Sequence, residues 1–177
     1  MSIFGKYKTE VKKMDPKKQF KELIKIRWYC DKLLNERFYI EDEDLKELTT
    51  LLKPFTNKYN NTTPIFNYEV EPWDYLTYLD NTIDNIIFKA QLKGINKTLL
   101  KRYYLMLFEL EYINNFEDIE DLKDLSINLM DSLQTTTLIK TYDDTAQKNI
   151  NNYEGLYKTV ERTLKIETNK IIRGFYQ

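Results

Sequence analysis

Histidine is absent from the chain, cysteine occurs once, and glycine and proline occur four times each. Without an imidazole there is no Ser-His-Asp or Cys-His arrangement, no histidine general base and no zinc site of the Cys/His kind. Serine is scarce as well, occurring only as Ser2, Ser126 and Ser132. The lone Cys30 cannot close an intramolecular disulfide. Its place in an apolar helical stretch predicts a buried structural thiol. So little glycine and proline speaks against a loop-rich β sandwich. The longest apolar run is Tyr103 to Phe108, too short to span a bilayer. The opening MSIFGKYKTEVKKMDPKKQF breaks up its apolar residues with charges, unlike a secretory leader. A cytoplasmic location is the expectation, or a virion if the chain is a phage component. Neither G-x-x-x-x-G-K-[ST] nor G-x-G-x-x-G occurs, so those phosphate cradles are excluded. No cofactor or metal is expected.

What is present suits a packed core. The 177 residues are 42 % hydrophobic and 31 % charged, with a formal net charge of -1, and a chain of this size buries enough surface to fold without staples. Lysine outnumbers arginine about four to one, a ratio far from even usage, isoleucine, asparagine and tyrosine are abundant, and alanine appears only at Ala90 and Ala146. Those residues have AT-rich codons. The pattern points to an AT-rich genome such as that of a low-GC bacterium, its phages or its mobile elements, and the 14 tyrosines follow from it without any recognition role.

Apolar spacing is helical along almost the whole chain, which predicts an all-α fold, an irregular bundle of about six helices in a single domain spanning 1–177. A basic arm over 1–15 precedes a helical body over 16–140. Asp15-Pro16 is an N-cap with proline at the first helical position, opening a helix over 16–39 with Phe20, Leu23, Ile24, Cys30, Leu33, Leu34 and Phe38 on one side. The acidic run Glu41 to Asp44 opens a second helix, which Pro54 should kink or end at Lys53. At most one short extended segment lies near 65–70. Glu71-Pro72 starts a third helix carrying Trp73, Leu76, Ile83, Ile86, Ile87 and Ala90, with Gly94 as its cap. Asn96 caps a fourth, and the short loop between them predicts an antiparallel hairpin. A fifth helix runs from Glu117 to about Lys140. The last, over 144–173, carries Ala146, Ile150, Tyr153, Tyr157, Val160, Leu164, Ile171 and Phe175 near heptad positions and ends at Gly174. It reads either as a core helix or as a seam for self-association; on the second reading Ile150, Tyr153, Tyr157, Val160, Leu164, Ile171 and Phe175 are the interface.

Charge is uneven. Within residues 1–27, Lys6, Lys8, Lys12, Lys13, Lys17, Lys18, Lys21, Lys25 and Arg27 face only Glu10, Asp15 and Glu22, a net of +6, while 41–124 is strongly acidic. The basic end offers Lys12, Lys13, Lys17, Lys18, Lys21 and Lys25 as nucleic-acid contacts, or an amphipathic basic helix for an anionic membrane. Helical carboxylates can hold Mg²⁺ for nucleotide chemistry. The candidates are Asp80 with Asp84 and the group Glu117 to Asp124. The E-x-x-E and E-x-x-D pairs that all-α nucleotide pyrophosphohydrolases place on neighbouring helices have local counterparts in Glu117-x-x-Glu120 and Glu71-x-x-Asp74, which lie at helix starts where capping accounts for them. The leading expectation is a non-enzymatic assembly or adaptor protein of a phage or mobile element that contacts itself or another protein. A nucleic-acid-associated protein and a small inhibitor of a host enzyme are the alternatives.

Overall fold

A computed structural model describes residues 14–36, 39–59, 64–67, 69–113, 118–133 and 151–175. Among these residues it contains six helices and no strand, an all-α architecture. The helices are α1 (Pro16–Glu36), α2 (Asp42–Lys58), α3 (Pro72–Lys89), α4 (Lys97–Tyr112), α5 (Ile119–Leu133) and α6 (Asn151–Ile172). The chain divides into two compact units, 1–93 and 94–177. The loop at 93–96 is where one unit gives way to the next, so α3 finds its packing partners in α1 and α2, and α4 finds its own in α5 and α6.

In the first unit, each helix start is built by local chemistry. Asp15 Oδ1 accepts from the amides of Lys17 and Lys18 at 2.9 and 3.0 Å, the N-cap its sequence announces. Burial raises and the Lys18 amide more strongly lowers the Asp15 carboxyl, leaving it below the usual carboxylate range. At the start of α2, Asp44 Oδ2 accepts from the Glu41 amide at 3.4 Å while Tyr29 Oη donates to Asp44 Oδ1 at 2.9 Å. That second bond ties α1 to α2. Leu23, Ile24, Leu33, Leu45, Leu48, Leu52, Leu76, Leu79, Ile83 and Ile86 fill the core between the three helices.

Pro54 neither ends nor replaces a turn of α2, which continues unbroken to Lys58. Proline costs the helix an amide donor, yet the turn beyond it carries Phe55 and Thr56 into the core, 2 % and 0 % exposed. Tertiary burial overrides the local penalty. Between α2 and α3, residues 64–67 have no regular structure; Asn67 then closes a turn by accepting from the Glu69 amide through its side chain, 2.9 Å. Gly94, expected to cap α3, does not. The helix ends at Lys89 with Ala90 donating to the Ile86 and Ile87 carbonyls, and Gly94, at φ 73, serves the turn before Asn96.

In the second unit, Asn96 Oδ1 accepts from the Leu99 amide at 3.0 Å and starts α4. Leu100, Tyr103 and Leu110 of α4, Leu122 and Leu129 of α5, and Leu156, Val160, Leu164 and Ile171 of α6 are all buried where α4 packs against α5 and α6. Of the fifth helix expected over 117–140, the described part ends at Leu133; of the last, expected from 144, it begins at Asn151. The C-terminus of α6 is closed by two bonds, Gly174 amide to Ile171 carbonyl at 2.9 Å and Phe175 amide to Lys170 carbonyl at 3.0 Å. With Gly174 at φ 85, this is a Schellman ending.

Candidate functional site

The lysines singled out in the sequence fall on one side of α1. At about 100° per residue, Lys17, Lys18, Lys21 and Lys25 share an arc of about 100°, and Lys32 falls inside it. The core side chains Phe20, Leu23 and Cys30, each at most 2 % exposed, lie on the opposite side. Lys17 and Lys18 are exposed, Lys21, Lys25 and Lys32 half-buried. Lys32 extends its ammonium over the Trp28 ring, 5.7 Å from the centroid. It was not separable from the general lysine content in the sequence; only its helical angle identifies it. Lys12 and Lys13 lie outside the described residues.

Arg27, counted with the basic end, has a different place. It is 5 % exposed and points into the α1–α3 contact, where it donates to Asp31 at 2.8 Å, to Asp84 at 2.7 Å, to the Asp80 carbonyl at 3.2 Å, and is paired with the Asp80 carboxylate. Burial works against the guanidinium's charge, but the Asp31 hydrogen bond and the charges of Asp31 and Asp84 outweigh it, so its pKa is raised. Asp80 and Asp84, considered above as Mg²⁺ ligands, are thereby engaged by an internal cation on a neighbouring helix. Among the described residues no set of three potential ligands is placed to hold a metal ion. Cys30, one turn along from Arg27, sits 3.8 Å from Asp80 Oδ1 and is fully buried. Burial pushes its thiol up to about 12, so it stays protonated and is a poor nucleophile.

The C-terminal set is mostly internal. Val160, Leu164 and Ile171 are 0 % exposed and Tyr153 is buried, facing α4 and α5 in their own unit. Tyr157 is half-buried, Phe175 is exposed, and Ile150 lies outside the described residues. Tyr153 Oη donates to the Ile113 carbonyl at 3.1 Å. Beside it opens a cleft of about 430 Å³ lined by Glu111, Ile113, Tyr153, Glu154, Tyr157 and Lys158. Burial raises the pKa of both phenols, so they act there as hydrogen-bond donors.

Large apolar side chains do reach solvent, on α3. Trp73, placed by its spacing among the core residues, is 49 % exposed, Tyr78 43 % and Phe88 82 %. Trp73 and Phe88 fall within about 60° of one another on the helix, opposite Leu79, Ile83 and Ile86. The reason is angular: Trp73 lies about 60° round the helix from Leu76 and about 120° from Leu79, off the buried side. Comparison with protein-family models, with curated proteins and with solved structures finds no match.

Proposed function

We propose that the chain is a non-enzymatic assembly protein that associates with a second copy of itself through the outward face of α3. The observation that carries this reading is the pair Trp73 and Phe88, half and four-fifths exposed on one helix face. Tryptophan and phenylalanine are enriched where interfaces bury their centres. The two rings stand at opposite ends of α3, so a two-fold, antiparallel pairing of α3 with its copy sets each Trp73 against the other copy's Phe88. The same operation sets Asp74 near Lys89, opposite charges at matched positions. An isologous contact of this kind needs only one patch to be self-complementary. The composition favours a phage virion or a mobile element as the setting.

Trp28 is buried and Trp73 exposed, which gives an optical test. In a Trp28→Phe background, the fluorescence of Trp73 is measured against an aqueous quencher over a dilution series. Self-association predicts that quenching rises as the protein is diluted and that Phe88→Ser removes the concentration dependence. Quenching that is the same at every concentration refutes the second-copy reading. If concentration independence persists alone but a separately added protein protects Trp73, the face serves an adaptor instead.

A further inference from the structure

We infer that the cleft at the C-terminal end of α4 is a binding site for a guanidinium group, the head of an arginine side chain. It lies wholly in the second unit and does not depend on the α3 face. Its volume, about 430 Å³, is within the range of pockets that hold small molecules. Glu111 and Ile113 belong to the last turn and cap of α4, and Tyr153, Glu154, Tyr157 and Lys158 to the first turns of α6. The bond from Tyr153 Oη to the Ile113 carbonyl holds the first ring against the end of α4.

Negative potential converges on this cleft. A helix C-terminus carries about half a unit of negative charge, and α4 has no basic residue in its last turn to offset it. Glu111 and Glu154 are both exposed, and among the described residues neither forms an ion pair. The phenols register the same field. Besides burial, Tyr153 feels Tyr157 and Asp118, and Tyr157 feels Glu161 and Glu111, all of which raise its pKa. Lys158 is the single cation of the lining and does not cancel them. The lining also selects the shape of the cation. No set of three ligands among the described residues is placed to hold a metal ion. The rings of Tyr153 and Tyr157 stand with centroids 5.9 Å apart and planes at 37°, and aromatic faces attract cations. A quaternary ammonium would leave the carboxylates without donors, and an alkylammonium is a strongly hydrated point charge. A guanidinium is planar and rich in N–H donors, so it stacks on a ring and meets a carboxylate in one pose.

The test is an NMR titration of the full chain carrying isotope-labelled tyrosine, with the Tyr157 signal identified by its loss in Tyr157→Phe. The probes are N-acetyl-arginine methylamide, its lysine counterpart and tetramethylammonium. The arginine derivative should shift the Tyr157 signal saturably, with the lysine derivative weaker and tetramethylammonium weakest. Glu111→Gln should weaken the arginine derivative about tenfold, the loss of one charge-assisted hydrogen bond, and Lys158→Gln should strengthen it. Both positions are exposed and glutamine is a good helix former, so circular dichroism should not change. A short peptide with one central arginine separates the sources of the group: tighter binding than the methylamide assigns the site to an arginine of a partner protein, and equal binding to a free guanidinium compound. No shift of Tyr157 at the solubility limit of the arginine derivative, an affinity unchanged in Glu111→Gln, or a preference for tetramethylammonium would each overturn the inference.

Discussion

Arg27 shows how far a single residue's meaning depends on the fold. In the sequence it is the last of nine basic residues at the amino-terminal end; in the structure it is the buried cation of Asp31, Asp80 and Asp84. Breaking a buried pair from one side leaves uncompensated charge. Arg27→Met should therefore destabilise the first unit by about 3 kcal/mol, near the low end of the usual range because Asp31 and Asp84 reach water. Adding Asp80→Asn should recover part of that loss, as read from urea midpoints. Cys30 makes a second prediction. Its thiol is raised from the ordinary 9.0 to about 12, so between those values the unfolded chain gives up a proton that the folded chain retains. Stability is complete below pH 9 and falls as pH rises toward 12. Cys30→Ala should flatten the alkaline arm of the urea midpoint against pH, and a disulfide reagent at pH 8 should react only as fast as the unit opens.

At the scale of the element, caps and periods were legible and exceptions to them were not. Asp15-Pro16, Glu41 to Asp44, Pro72, Asn96 and Gly174 all stand at helix ends where their chemistry places them, since capping acts within one turn of the chain. Pro54 does not end α2 at Lys53, because burial of Phe55 and Thr56 carries the helix on to Lys58, and Gly94 serves the turn before Asn96 instead of the end of α3. The two glycines of the last segment separate local from tertiary reasoning. Gly174 has φ 85, and an alanine there should cost about 1 kcal/mol. Gly155 is exposed within α6, where alanine should stabilise by about 0.5–1 kcal/mol. Thermal melts of the two variants should shift in opposite directions. The α6 seam itself illustrates an ambiguity of period: Val160 and Leu164 have the spacing of a coiled-coil seam and of a core helix alike, and only their burial against α4 and α5 distinguishes the two. Deleting α6 would expose that core and so would not isolate an interface.

At the scale of the molecule, the sequence carries no linker that marks the change of unit at 93–94. Gly94 is the lone turn residue there, which is why the two units were not separable by composition. Each has its own core, Leu23 to Ile86 in the first and Leu100 to Ile171 in the second. Fragments 1–93 and 94–177 should therefore each show helical circular dichroism and a cooperative melt. Among the described residues no helix is long and apolar enough to cross a membrane. The exposed aromatic face of α3 was not readable, because Trp73 has core spacing and Phe88 has none that distinguishes it from an incidental surface residue. The most direct measurement is the molar mass by light scattering after size exclusion, at low and high salt, for the full chain and for Trp73→Ala with Phe88→Ser. A multiple of 21.5 kDa that resists salt and returns to the single-chain mass in the double variant is the predicted result. A single-chain mass for the unmodified protein at every concentration and salt would contradict the account.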